Sequence, residues 1–503
     1  MCTYCACVYI KMYILLLILV LIYYVYNYWF KRSRYYKLIK TFPPIATEVP
    51  LIGALWKFVG GPEQLMAAVT HHINLATKAG GTARIYMFTT YYIVICDARD
   101  AAVVLKSSLE KDYLYKFLRT FSGNGSAFVS GPIARERRAV LVPTFHPRTL
   151  FSFVDVFWEE SRSLADSLAA HDGNGPFSVE KYLYKYNIGT ILRAGNITLS
   201  KINSDEFYKA LTRWEGIAKE RIVSLWKHPD CLHKYSSLYE EGRKVMETLH
   251  YYAHKVLHLR LEEIKRHSQL GIKEADQRLK EGIFDVIINS NLDEEAKREE
   301  ILVLIVGTDL VGLSLGFTMM LLGMYPEVQN RVYRELQYIF GGSDRPVTKK
   351  DLAKLTYLDM VIKESLRLYP PVPVIARKVL KDVALPSGRT IPAGTGVFAA
   401  IMGIHKNQKY WGSDAECFDP DRFSTERFEG IPPQAFMPFS FGPRNCIGYK
   451  YGQISMKVVL STILRRYRIV GKPAAGPVPN IKTKLQIFAR SQDDFTIELV
   501  SRK

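Results

Sequence analysis

The segment FSFGPRNCIG near the C-terminus constrains this chain more than any other part of it. It sets Cys446 two residues after Arg444 and two before Gly448, with Phe439 and Gly442 upstream. A cysteine binds a metal as a thiolate, and glycine lets the backbone approach a flat group closely. An arginine can pair with a carboxylate through two parallel hydrogen bonds. The segment therefore suits a loop that holds a thiolate beneath a metal-bearing ring with acidic substituents; the alternative is a glycine-rich turn with a buried cysteine.

This segment resembles the haem-binding loop of the cytochrome P-450 superfamily, the haem-thiolate monooxygenases. It meets the pattern F-x-x-G-x-R-x-C-x-G at every defined position. The resemblance implies a mostly α-helical fold with a small β part (α+β), preceded by an N-terminal transmembrane anchor helix. It also implies haem b (iron protoporphyrin IX) as cofactor, with Cys446 as axial metal ligand. Phe439, Gly442 and Gly448 would then shape the loop, and Arg444 would bind a haem propionate.

The strings LTYLDMVIKESLRLYPPVPVIAR and LLGMYPEVQ are most similar to the microsomal group of this superfamily found in insects, called clan four. The expected reaction is insertion of one oxygen atom of O₂ into an apolar small molecule such as a lipid, hormone, odorant or xenobiotic. Electrons would come from NADPH through a flavoprotein reductase, with cytochrome b5 as a further donor.

An apolar segment lies at the N-terminus. Met12 to Phe30 contains no charged residue, and its 19 residues span roughly 28 Å as a helix, close to the thickness of the hydrocarbon core. Five basic residues follow between positions 31 and 40, which predicts a cytosolic body. A cleavable signal peptide is the rival interpretation, but no clear small-residue cleavage site is present.

We therefore expect three parts: a membrane anchor over residues 1–30, a basic and Pro-rich hinge over 31–53, and a haem-binding catalytic domain over 54–503. The predicted location is the endoplasmic reticulum membrane, with the catalytic domain on the cytosolic face. The 503-residue chain has a formal net charge of +19. That charge suits an acidic protein partner or anionic lipid. Nucleic acid is not an expected partner, because no zinc-finger spacing or basic arm accompanies the charge.

A second constellation predicts a buried charge network. Glu364 and Arg367 lie three residues apart in a helical run, so both side chains share one face. Alone, such a pair is commonly a solvated surface pair. The later segment FDPDRF places Arg422 in the order that the resembled family shows for its Glu-Arg-Arg triad. Carried over, the triad would have a structural role.

Two further arginines are candidates for binding the haem propionates. Arg377 follows Glu364 at the family's spacing, and Arg138 matches the arginine of a propionate-binding helix. The tryptophan that the family places on that helix corresponds to Ala134, so one donor is missing. The alternatives are a surface strand arginine for Arg377 and a partner-docking basic face for Arg138.

The apolar run from Leu302 to Tyr325 predicts a long central helix that carries the oxygen site. In the resembled family this helix has a glycine, an acid and a hydroxyl; Gly307 and Asp309 match the first two. The hydroxyl position is Leu310, which cannot relay a proton. Thr308 or Ser314 would then have to act. The competing interpretation is a buried core helix.

Val306, Leu310, Val372 and Ile375, together with the turn 488–493, are expected to line an apolar substrate cavity. Because valine replaces the glutamate that forms a haem ester in some family members, the haem is expected to be non-covalent apart from the iron–sulfur bond. The missing hydroxyl leaves two alternatives open. One is a haem-thiolate isomerase or dehydratase of oxidised lipids that needs no O₂ activation. The other is a catalytically impaired haem-binding protein.

Overall fold

The computed structural model describes residues 2–49, 52–269 and 282–502. Within the predicted hinge, Pro50 and Leu51 lie outside the described residues. The predicted fold class is confirmed, because helices dominate and the strands form small sheets.

The α-helices of the described residues run in chain order along the whole body. They are α1 (Cys2–Arg32), α2 (Arg34–Ile39), α3 (Pro62–Lys78), α4 (Ala98–Ser107), α5 (Tyr115–Ser122), α6 (Gly131–Leu141), α7 (Pro147–Ser152), α8 (Val154–Leu168), α9 (Glu180–Ala194), α10 (Ser204–Val223), α11 (Asp230–His233), α12 (Ser237–Gln269), α13 (Asp285–Ile288), α14 (Glu294–Met324), α15 (Pro326–Phe340), α16 (Lys349–Lys354), α17 (Thr356–Leu368), α18 (Ile401–His405), α19 (Gln408–Trp411), α20 (Thr425–Phe428) and α21 (Tyr449–Arg466).

The strands form four small sheets. They are β1 (Thr82–Met87), β2 (Thr90–Ile95), β3 (Phe177–Ser178), β4 (Ile375–Lys378), β5 (Val383–Ala384), β6 (Thr390–Ile391), β7 (Gly396–Ala399), β8 (Tyr467–Val470), β9 (Thr483–Leu485), β10 (Ala489–Ser491) and β11 (Thr496–Ser501). The largest sheet has the order β1-β2-β7-β4, in which β2 and β7 are parallel and the other pairs antiparallel. The others pair β3-β11-β8, β9-β10 and β5-β6.

The central helix α14 is longer than the apolar run predicts, because it begins at Glu294 rather than Leu302. Asp293 caps it by accepting a hydrogen bond from the Ala296 amide at 2.7 Å. Two acidic residues then occupy the first turn, where the helix dipole favours negative charge. Charged residues fill these first two turns, so the apolar periodicity starts later than the helix does. From there α14 runs through the largest core cluster.

Two helices of the described residues are long and apolar enough to cross a membrane. One is α14, which is mostly buried inside the protein and is therefore a core helix. The other is the part of α1 from Met12 to Arg32, whose described side chains are exposed except for Asn27 and Phe30, which are half-buried; Phe30 packs against the body. An exposed apolar helix of this length is costly in water and matches the hydrocarbon core of a bilayer.

Candidate active site

The cysteine loop leads into α21 and is fixed by its backbone. The Cys446 amide donates to the Phe439 carbonyl at 2.8 Å. Gly442 has a φ of 77°, and a Cβ there would lie 2.6 Å from the Leu105 carbonyl oxygen. Only glycine fits both conditions. The loop is thereby pressed against the end of α4, and the Cys446 side chain faces the main cavity.

Cys446 is accessible from the cavity. Desolvation by the protein around it raises the pKa of its thiol, whereas the Gly448 amide and the charge of Arg138 lower it. The net shift is upward, so these two groups alone do not hold the sulfur as a thiolate. A cation bound to the sulfur would do so, because a coordinating thiol is deprotonated by the metal.

The cavity has a volume of about 570 Å³ and a mostly apolar lining. All four predicted substrate residues border it: Val306, Leu310, Val372 and Ile375. Of the turn 488–493, only Phe488 does so; Leu485, Gln486 and Ile487 line the cavity just before it. The cause is the β9-β10 hairpin: the tip between the two strands lines the cavity, whereas residues 489–491 form β10 and residues 492–493 the turn after it.

Five cationic side chains border the same cavity. Four of them, Lys111, Arg138, Arg377 and Arg444, lie close enough to interact electrostatically. Arg138 donates to the carbonyl and the side-chain oxygen of Asn445, both at 2.8 Å. Arg444 donates to backbone carbonyls of the segment that precedes α6. Arg377 is 1% exposed, and its Nε lacks a hydrogen-bond acceptor. Within the described parts of the chain, none of the four has a carboxylate within 4.0 Å.

The four cations destabilise one another. Burial, followed by the charges of Arg377 and Arg138, lowers the pKa of Arg444 to about 10. Burial and the three arginines together lower the pKa of Lys111 well below its ordinary value. Buried like charges without counter-ions are costly, so this arrangement requires an anionic ligand. The two propionates of haem b meet that requirement, and the thiol of Cys446 supplies a ligand for its iron.

Helix α14 forms another wall of the cavity. Gly307 is the exposed residue in an otherwise buried stretch, and a Cβ there would meet no atom within 4 Å. Thr308 and Ser314 also border the cavity. Their hydroxyls donate to the carbonyls of Ile305 and Leu310, at 2.7 and 2.8 Å. The oxygen of each hydroxyl can still accept a hydrogen bond.

Asp309 does not border the cavity. It is 4% exposed and accepts a hydrogen bond from Arg490 at 3.0 Å. Arg490 also pairs with Glu215 at 2.7 Å and with Glu180. One buried cation thus serves three carboxylates. Burial raises the pKa of Asp309 despite the charge of Arg490, and it raises the pKa of Glu215 to about 7.

The structure brings the predicted triad together, with one additional member. Arg367 donates to the two carboxylate oxygens of Glu364 at 2.6 and 2.7 Å, and both side chains are fully buried. The Nε of Arg422 lies 3.5 Å from Glu364, but its close partner is Asp414, at 2.7 Å. The buried His405 connects this network to the cysteine loop. Its Nε2 accepts from the Met437 amide at 2.9 Å, and its Nδ1 lies 3.2 Å from the Arg367 carbonyl.

The sequence also predicts a positive face from Lys349, Lys350 and the basic residues around Arg444, Lys450 and Lys457. Arg444 itself faces the cavity, where a propionate-binding residue is expected, and Lys457 lies 2.9 Å from Asp359. Lys349 and Lys350 are exposed, so the remaining positive face is smaller.

Sequence reasoning missed Lys111, Asp414 and Arg490. Lys111 lies in an ordinary charged stretch, with its ammonium over the Tyr115 ring at 4.5 Å. No local pattern marks any of the three. The one signal was Ala134, which stands where the family has a tryptophan. Because that propionate donor is missing, another side chain is expected to replace it.

A cavity with a thiol, four cations without carboxylate partners and a gap over a helical glycine defines a haem-thiolate protein. A family model for cytochrome P-450 matches residues 43–498. The chain is 30% identical over 467 residues to cytochrome P-450 4c3 of Drosophila melanogaster, covering 88% of this chain and 86% of that protein. It is also 30% identical to human cytochrome P-450 4V2, covering 87% and 86%. The chain belongs to the cytochrome P-450 family. It is therefore a monooxygenase that binds haem b through a cysteine thiolate and uses O₂, a redox partner and hydrophobic substrates.

Proposed function

We propose that this protein inserts one oxygen atom of O₂ into an apolar small molecule, using electrons from NADPH delivered by a flavoprotein reductase. Cytochrome b5 is a second candidate donor. The observation that carries the proposal is one cavity that brings together the Cys446 thiol, a cluster of four cations without carboxylate partners and Gly307 within an apolar lining.

The haem-binding roles follow from the chemistry of each group. Cys446 would ligate the haem iron. Arg138, Arg377 and Arg444 would bind the propionates, and Lys111 would supply the donor that Ala134 cannot. With this assignment, the mutual repulsion among the cations is offset by two carboxylates.

When bound, the haem would supply the chemistry of O₂ activation, in which a thiolate ligand favours cleavage of the O–O bond. The chain's own residues must leave space and move protons. Gly307 leaves space beside α14. Leu310 can hold no proton, so Thr308 or Ser314 must hold the relaying water. Asp309 takes part only if it exchanges its contact with Arg490 for water.

The substrate class is apolar, because aliphatic and aromatic side chains dominate the lining. Val306, Leu310, Val372 and Ile375 would contact the substrate. Lys219 and Gln486 also line the cavity, but they contribute only a small polar part of its surface. The Lys219 ammonium donates to the Gly60 carbonyl at 3.0 Å.

We place the protein in the endoplasmic reticulum membrane, anchored by residues 1–30. Residues 31–53 form the hinge, and residues 54–503 form the catalytic domain on the cytosolic face. The exposed apolar helix and the basic residues that follow it support this orientation.

A second candidate function is an isomerase or dehydratase of oxidised lipids. It is favoured by Leu310 at the relay position and by the engagement of Asp309 with Arg490. Such a reaction needs no proton delivery for O₂ cleavage.

Reconstitution separates the candidates. The purified protein, reductase and NADPH are incubated with a panel of apolar compounds under ¹⁸O₂, and in parallel with lipid hydroperoxides without NADPH. Monooxygenation predicts NADPH-dependent products that carry one ¹⁸O atom. Products from hydroperoxides alone would support the isomerase, and turnover in neither arm would indicate a haem-binding protein without catalysis.

A further inference from the structure

A cluster of metal-ligating side chains lies on the outside of the body, away from the cavity. His254 and His258 are one turn apart on α12, and Glu294 is the first residue of α14. The three ligand atoms lie within 4.8 Å of one another. The side chains are 47%, 46% and 63% exposed, so an ion in solution can reach them.

The separations suit a small tetrahedral cation. The Nε2 atoms of His254 and His258 lie 3.7 and 3.9 Å from the same Glu294 oxygen. Ligands about 2.0–2.2 Å from a tetrahedral Zn²⁺ lie roughly 3.4 Å apart. Each nitrogen–oxygen distance would contract by only a few tenths of an ångström to bind the ion, and the fourth position would be open to water.

These distances do not fit a pre-existing hydrogen bond. Both nitrogen–oxygen separations exceed hydrogen-bonding distance, so the groups face one another without satisfying one another. Two histidines at i and i+4 present both rings on one helix face, which is a recurring zinc-binding spacing. The carboxylate comes from a different helix, so an ion held by all three would connect α12 to α14.

We propose that His254, His258 and Glu294 bind a divalent transition-metal ion of the Zn²⁺ type. The bound ion restrains helices α10 and α12 relative to the cavity. Helix α12 packs along α10, whose residues Ile222 and Val223 line the cavity, while α14 carries the oxygen-site glycine. A bridge between α12 and the start of α14 therefore restrains how far the α10–α12 pair can move from the cavity. This inference is independent of the redox chemistry.

Calorimetric titration of chelator-treated full-length protein with ZnCl₂ tests the site. The expected result is one equivalent bound. His254→Ala or His258→Ala should weaken the affinity by more than about 100-fold, since losing even an outer-shell partner of a metal site costs 10–100-fold. Glu294→Gln should weaken it by at least about tenfold.

The matched control is Glu295→Gln, which makes the same charge change on the next residue of the same helix turn. Glu295 is exposed and outside the cluster, so its variant should bind Zn²⁺ as the parent does. Far-ultraviolet circular dichroism checks that each variant is folded. No saturable binding, or binding that survives loss of both histidines, would overturn the proposal.

Discussion

Replacing Glu364 with glutamine should destabilise the fold far more than removing a comparable exposed ion pair. All five side-chain N–H groups of Arg367 donate hydrogen bonds, two to the carboxylate of Glu364 and three to backbone carbonyls. Glu364→Gln leaves that charge buried without a counter-ion. Breaking a buried pair in this way costs about 3–5 kcal/mol.

The expected change in melting temperature follows from the size of the body. An unfolding entropy of about 2.1 cal/mol/K per residue gives roughly 1 kcal/mol per degree for some 450 residues. Glu364→Gln should therefore lower Tm by about 4 °C, measured by circular dichroism at a fixed scan rate.

The matched control is Asp421→Asn, next to Arg422 in sequence. Arg331 pairs with Asp421 through two hydrogen bonds at 2.6 and 2.9 Å, but the two side chains are 46% and 40% exposed. Exposed pairs contribute about 0–1 kcal/mol, so this variant should lose less than about 1 °C. Equal shifts for the two variants would refute the buried-charge argument.

Three further outcomes are expected. Leu310→Thr restores a relay hydroxyl and should raise the ratio of product formed to NADPH consumed; an unchanged ratio would show that the relay runs elsewhere. Lys111→Gln should speed haem loss to a scavenger protein about tenfold or more, because a hydrogen bond to a charged group contributes about 1.5–3 kcal/mol. The control Lys116→Gln, which breaks an exposed pair with Asp230, should leave the rate of haem loss unchanged. Glu215 has its pKa raised from 4.5 to about 7 by burial, so the folded state retains a proton that the unfolded chain releases between these values. Stability should then fall by about 3 kcal/mol as pH rises through that window, and Glu215→Gln should remove this part of the pH dependence of urea unfolding.

Local patterns predicted the parts of the site that are encoded in consecutive residues. The cysteine loop, the Glu364–Arg367 pair and the gap at Gly307 depend on spacings within one loop or one helix. The β-branched and aromatic runs Thr82 to Phe88 and Tyr91 to Cys96, separated by a short turn, predict a β-hairpin, and β1 and β2 form it within about one residue of these bounds. Weak alternation from Ile481 to Val500 predicts a last hairpin, which is right only for β9 and β10, because β11 pairs with β3 and β8 instead.

The remaining parts depend on packing between distant segments. Arg490 meets Asp309 across 181 positions of sequence, and Arg138 meets Asn445 across 307. Lys111 belongs to the site only because the segment before α5 folds against the cysteine loop. No periodicity in a single sequence reports such contacts.

Every haem-dependent role proposed above requires the sulfur of Cys446 to ligate the haem iron. The most direct measurement is the absorption spectrum of the reduced, carbon-monoxide-bound protein, compared between the parent and Cys446→Ser at equal protein concentration. Loss of the thiolate-type band in the variant is the predicted result. An unchanged band with undiminished haem content would contradict the account.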